Sequence, residues 1–96
     1  MNQKEKADLR KDIRKSLIDE LNTLAQVTNK NYKMKFNMLY DLGVTEVDML
    51  KILDKVEDKF NIELSEEDIL DTTDMPIFDI VSHYNEKMLK EILRNK

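Results

Sequence analysis

The sequence predicts an all-α fold for a single domain that covers residues 1–96. The chain has one glycine and one proline in 96 residues, so few residues interrupt a helix. Its apolar residues recur every three or four positions over most of its length, which is the period of an amphipathic helix. A chain of this length has room for one core and none for a second domain.

The first predicted helix covers residues 8–25. Its apolar residues follow one another at spacings of four, four, four and three, so they share one face. They are Leu9, Ile13, Leu17, Leu21 and Leu24. Residues 27–35 lose this period and carry three lysines, which predicts a loop. The apolar residues between 36 and 40 are expected to return the end of the loop to the core.

The second predicted helix covers about residues 46–60. Thr45 is a good N-cap, and Asp48 stands three residues later, as in a shortened capping box. The apolar sector of this helix is broad, as expected for a helix at the centre of a small bundle. Its apolar series is Val47, Leu50, Leu53, Val56 and Phe60, with Met49 and Ile52 beside it.

The last third of the chain predicts an extended segment, a short helix and a final long helix. Residues 61–64 alternate polar and apolar, and Ser65 is suited to cap a short turn of helix that runs to Leu70. Pro76 fits the first turn of the final helix, which is expected to reach about residue 93. The apolar residues predicted for it are Phe78, Val81, Met88, Leu89, Ile92 and Leu93. Residues 84–96 form a candidate helical C-terminal extension, suited to a membrane surface or a partner groove, or to packing back on the domain.

Composition narrows the classes of function. The net charge of −4 disfavours nucleic acid as a partner, because phosphate binding needs a basic surface. The chain has no cysteine, and no apolar run approaches the roughly 20 residues of a membrane span. Its first residues lack the apolar segment of a signal peptide, so we expect a cytoplasmic protein. No set of nucleophile, base and acid can be assembled from the sequence, and we therefore expect no enzymatic activity and no metal site.

One motif carries a specific resemblance. Residues 41–48 read Asp-Leu-Gly-Val-Thr-Glu-Val-Asp, which resembles the Asp-Leu-Gly-x-Asp-Ser-Leu-Asp signature of acyl carrier proteins. Residues 57–64 read Glu-Asp-Lys-Phe-Asn-Ile-Glu-Leu, similar to the Glu-Glu-x-Phe-x-Ile-x-Ile stretch of that family. The acidic run 66–68 follows where the family has the acidic start of its third helix. The resemblance implies a four-helix bundle with three longer helices and one short one.

The same resemblance implies a function that this sequence alters. In acyl carrier proteins the signature serine carries 4′-phosphopantetheine, and here that position is Glu46. A carboxylate has no hydroxyl to attack coenzyme A, so we expect no cofactor on this chain. Glu46 either imitates the negative phosphodiester of a loaded carrier or is a first-turn acid that stabilises the helix by about 0.3–1 kcal/mol.

The second helix also departs from the family in charge. Lys51, Lys55 and Lys59 stand at i, i+4 and i+8, so they form a stripe on one side of the helix where the family is commonly acidic. We call these three residues the lysine stripe. It is either a docking face for an acidic partner or an ordinary solvated helix face. The residues predicted to bind a partner are Glu46, Val47, Leu50, Lys51, Asp54, Lys55 and Asp58.

Three functions remain open from the sequence. The first is a monomeric, non-enzymatic interaction module that binds a carrier-recognising protein or a specialised partner enzyme. The second is an acyl or aminoacyl carrier of a fatty-acid, polyketide or other biosynthetic pathway, with an unusual or altered attachment site. The third is a bundle that keeps an apolar pocket for a free lipid. Ser65 and Ser82 are poor substitutes for the attachment serine, since Ser65 is placed as a cap and Ser82 lies in the last helix.

Overall fold

Three α-helices build the part of the protein that the structure describes. The structure is a computed structural model that describes residues 2–27, 43, 45–69 and 75–94. Helix α1 spans Gln3–Val27, α2 spans Glu46–Phe60 and α3 spans Ile77–Arg94. The all-helical fold class is confirmed. Most of the predicted loop before α2 and the end of the predicted short helix at Leu70 lie outside the described residues.

The predicted short helix between Ser65 and Leu70 is a single 3-10 turn over Glu66–Asp68 where it is described. The Asp68 amide donates to the Ser65 carbonyl at 3.0 Å, and this i→i+3 bond closes the tighter turn. A fourth α-helix is therefore not observed among the described residues, whose longer elements are α1, α2 and α3.

Helix α1 begins earlier than its apolar pattern predicts. The prediction started at residue 8, just before the first apolar residue of the stripe, whereas the helix starts at Gln3. Asn2 causes the extension, because its Oδ1 accepts a hydrogen bond from the Glu5 amide at 2.8 Å. This is the geometry of an N-cap, which satisfies a donor that would otherwise lack a partner.

The core lies where α1 packs against both α2 and α3. Helix α1 contributes the face that its period predicts, with Ile13, Leu17 and Leu21 fully buried and Leu9 and Leu24 partly buried. The largest side chain of the core is Tyr84 of α3, which is 0% exposed. The predicted extension beyond residue 84 continues α3 as far as Arg94 and places Met88 and Leu89 in this core.

The core-facing side of α2 differs from the predicted apolar series. Met49 and Ile52 are buried, whereas Val47 is 60% exposed and Leu50 is 36% exposed. Leu53 and Val56 are buried as expected, and the last member of the series, Phe60, is only partly buried. The helix is turned so that Val47 points away from the core and Leu50 lies at the edge of the buried side.

Helix α3 shows a similar difference. Phe78 was predicted as part of the apolar face, but it is 56% exposed. Ile77, Ile80 and Tyr84 are buried instead, and the prediction omitted all three. They stand at i, i+3 and i+7, which is a helical face in its own right.

The chain leaves α2 through a left-handed residue. Asn61 has φ 55° and ψ 47°, and the Ile62 amide donates to the Glu57 carbonyl at 3.0 Å. Asparagine tolerates this conformation better than most residues, so it closes the helix. The extended conformation predicted for 61–64 is therefore wrong at Asn61. The predicted alternation of polar and apolar residues is seen in their burial. Ile62 is partly buried and Leu64 is buried, whereas Asn61 and Glu63 are exposed.

No helix within the described ranges is long and apolar enough to cross a lipid bilayer.

Candidate interaction surface

The start of α2 is fixed by a capping box around Thr45. The Thr45 Oγ1 accepts from the Asp48 amide at 3.2 Å, and an Asp48 carboxylate oxygen accepts from the Thr45 amide at 3.1 Å. Two amides of the helix start are satisfied in this way. The cap makes Glu46 the first residue of α2, where its side chain is exposed to solvent. A negative charge at this position is favourable because of the helix dipole.

Apolar side chains lie on the exposed face of α2 next to Glu46. At 100° per residue, Val47 lies about 180° from the buried Val56, so it points directly away from the core. Leu50 lies one turn further along this exposed side. Asp54 and Asp58 continue the exposed side towards the helix end, and both are exposed. The outer face of α2 is therefore apolar at its start and acidic at its end.

The lysine stripe lies at the seam between α1 and α2, and its three members differ in how firmly they are engaged. The Lys59 ammonium donates to the hydroxyl of the buried Ser16 at 2.7 Å and lies 5.7 Å from the centroid of the Phe60 ring. Lys55 pairs with Glu20 of α1 at 3.5 Å, and its side chain stays 66% exposed. Lys51 is exposed and forms no ion pair within the described part of the chain.

A groove of about 180 Å³ opens between α1 and α2 beside this stripe. Glu20, Thr23 and Leu24 of α1 form one wall. The other wall belongs to α2 and consists of Asp48, Lys51, Ile52 and Lys55. Leu24 and Ile52 give the groove an apolar lining, and the charged side chains stand around it.

Near the end of α2, the carboxylate of Glu57 is partly buried and surrounded by other acidic residues. Partial burial raises the pKa of Glu57, although the hydrogen bond that its Oε2 accepts from the Leu64 amide at 3.4 Å works in the opposite direction. The neighbouring charges of Asp54, Glu63 and Asp58 add to the increase. Glu57 therefore fixes the chain after α2 through its bond to the Leu64 amide. Partial burial makes its charged form less favourable than its protonated form.

The 3-10 turn is held to α3 by its last residue, Asp68. The carboxylate accepts from the Ser65 hydroxyl at 3.1 Å and pairs with Lys87 at 3.4 Å. The Asp68 carbonyl contacts His83 Nε2 at 2.8 Å. Partial burial by itself would raise the pKa of Asp68, but the bonds from Ser65 and Lys87 outweigh it and lower the pKa. These contacts connect the segment after α2 to the last helix.

The two serines rejected as substitute attachment sites, and the single histidine of the chain, lie outside α2. Ser65 lies beyond the opposite end of α2 from Glu46, and Ser82 is exposed on α3. His83 is partly buried and faces the Asp68 carbonyl. Within the described ranges, no three histidine, cysteine or carboxylate side chains are grouped so that they could hold a metal ion.

The groove was not among the sequence predictions. Each wall contains ordinary amphipathic-helix residues, and nothing in either segment specifies how the two helices pair. One signal was available in hindsight: Glu20 on the predicted first helix and Lys55 on the second have the opposite charges of an interhelix pair.

Comparison of the chain with protein-family models, with curated proteins and with solved structures finds no match.

Proposed function

We propose that this protein is a non-enzymatic interaction module with the four-helix form of an acyl carrier protein, and that it does not carry acyl groups. Its partner would be a carrier-recognising protein or a specialised enzyme of the same cytoplasmic pathway, bound by a monomer. The signature at 41–48 and the stretch at 57–64 support the family resemblance.

One observation carries the proposal. Glu46 occupies the position of the attachment serine, and it stands exposed at the first residue of α2 beside the exposed Val47 and Leu50. Contiguous apolar patches on a protein surface mark sites that bind other proteins, and Val47 and Leu50 are exposed neighbours one helical turn apart. A carboxylate at this position keeps negative charge without providing an attachment group. A surface built in this way is suited to recognition.

The loss of carrier chemistry is tested by incubating the protein with coenzyme A and a broad-specificity phosphopantetheinyl transferase. The intact mass should stay unchanged for the native chain, because Glu46 has no hydroxyl. Glu46→Ser should gain a phosphopantetheine adduct, at least in part, since Asp41, Leu42, Gly43 and Asp48 of the signature are present. An adduct on the native chain that disappears in Ser65→Ala or Ser82→Ala would refute the proposal and would locate the real attachment site.

Recognition is tested separately, with the same transferase used as a binding probe. We expect the native chain to bind it without being modified, and Val47→Ser with Leu50→Ser to weaken binding. Phe78→Ser is the control, because Phe78 is also an exposed apolar residue but lies on another helix. If the control and the α2 variant weaken binding equally, the start of α2 is not the recognition surface.

A further inference from the structure

We propose that the groove between α1 and α2 docks an acidic, amphipathic segment of a partner protein, with one apolar side chain in the groove and a carboxylate on Lys51. This inference rests on the interaction role proposed above and assigns a chemistry to the partner. It places the docking site on the α1 side of α2, at the lysine stripe.

The size of the groove favours a single side chain. Its volume of about 180 Å³ exceeds the roughly 150 Å³ of a cavity that accommodates benzene. It is smaller than the roughly 300–1,000 Å³ of a typical small-molecule site. Leu24 and Ile52 provide an apolar lining for the inserted group. An aromatic or leucine side chain matches this space.

The charges around the groove specify an acidic neighbour for that side chain. Both carboxylates of the groove are already engaged: Glu20 pairs with Lys55, and Asp48 accepts bonds from Thr45. Among the charged groups that line the groove, this leaves Lys51 without a described partner.

The position of Lys51 connects the groove with the exposed face of α2. Lys51 follows Leu50 and stands one helical turn after Val47. A segment that crosses α2 at this point would bring an apolar group onto Val47, a carboxylate onto Lys51 and one side chain into the groove. Apolar anchors beside complementary charges are the usual composition of a helix-in-groove contact.

A membrane surface fits these features less well. Recognition of anionic lipid needs a cluster of about four to eight basic residues, whereas the groove presents two lysines beside two carboxylates. The net charge of −4 also opposes association with an anionic bilayer.

The test is a selection of random peptides displayed on phage against the full chain, followed by affinity measurements on the enriched peptides. We expect enrichment of sequences that combine Phe, Leu or Trp with Asp or Glu. Lys51→Glu should weaken the best peptide about tenfold or more, which corresponds to about 1.4 kcal/mol. Thr23→Phe, which fills the groove from an exposed position, should weaken it similarly. Lys11→Glu is the matched control on an exposed site of α1 and should change affinity less than twofold.

Several results would overturn the inference. Enrichment of basic peptides, or no enrichment, would contradict the assigned chemistry. Tight binding to phosphatidylserine vesicles that Lys51→Glu abolishes would identify anionic lipid as the ligand. Peptide binding that is lost in Val47→Ser with Leu50→Ser, but retained in Lys51→Glu and Thr23→Phe, would remove the groove and leave the proposed function standing. Modification of the native chain by the transferase would remove the proposed function whatever the peptides show.

Discussion

The orientation of α2 decides which residues are available to a partner, and two leucines of this helix test it directly. Leu53 is 1% exposed in the core, and Leu50, about 60° away around the helix, is 36% exposed at the edge of the buried side. Leu53→Ala and Leu50→Ala make the same chemical change three residues apart. Any difference between the two variants therefore reports the surroundings of the side chain and not the substitution itself.

The expected magnitudes follow from burial. Replacing leucine by alanine removes three carbon atoms, worth about 0.8 kcal/mol each when they are fully buried. A residual cavity adds to this, so Leu53→Ala should lower the free energy of unfolding by about 3–4 kcal/mol. Leu50→Ala leaves no cavity, because solvent reaches the site, and should cost no more than about 1 kcal/mol. A domain of this size has about 5–14 kcal/mol in total, so Leu53→Ala removes a large share of it.

Urea denaturation followed by circular dichroism measures both variants. With a slope of about 1–3 kcal/mol per molar urea, the two midpoints should differ by about 1–3 M. Equal midpoints would mean that the faces of α2 are assigned wrongly. The interaction surface around Val47 and Leu50 would then have to be abandoned as well.

Three further predictions concern contacts around α2. Thr45→Ala should lower the free energy of unfolding, measured with urea, by about 0.5–2 kcal/mol, because the cap is lost. Thr23→Ala, on the exposed side of α1, should change it by no more than about 0.5 kcal/mol. A double-mutant cycle of Lys59→Met and Ser16→Ala should give a coupling energy of about 1 kcal/mol, and a value near zero would mean that their 2.7 Å bond does not contribute to stability. Because the folded-state pKa of Glu57 is raised, the native protein retains a proton that the unfolded chain releases, so stability falls as the pH rises from the ordinary glutamate range through the raised pKa. Glu57→Gln should therefore be more stable than the native chain at pH 7 and lose this advantage at pH 4, and an equal difference at both values would contradict the assigned cause.

The sequence was sufficient to predict the buried face of a helix where its apolar stripe was narrow. In α1 the stripe from Leu9 to Leu24 left a single choice of face, and Ile13, Leu17 and Leu21 are buried as predicted. The capping box at Thr45 was equally clear, because it depends on two residues at a fixed spacing.

The sequence was insufficient to predict the buried face where the apolar sector of a helix is broad. The apolar residues of α2 cover more than half of its circumference, so several faces satisfy the helical period, and the packing of α1 decides between them. This is why Met49 and Ile52 are buried in place of Val47 and Leu50. In α3 the large Phe78 was predicted to face the core. Ile77, Ile80 and Tyr84, which are buried instead, have the spacing of a single helical face.

In the candidate site, too, features set by neighbouring residues could be predicted, whereas features set by helix packing could not. The exposure of Glu46 follows from the cap, which is a local feature. The groove at Lys51 depends on the pairing of α1 with α2, and no pattern within either segment specifies that pairing.

The packing of α1 against α3 has a consequence for the kinetics of folding. The Asn85 amide donates to the Arg10 carbonyl at 3.0 Å, and the Arg10 guanidinium pairs with Glu86 at 3.3 Å, so these contacts join residues about 75 positions apart. Closing a loop of this length costs chain entropy before the contacts return any stabilisation. Helical hairpins between sequence neighbours avoid this cost. The protein should therefore fold more slowly than a helical bundle built from local hairpins.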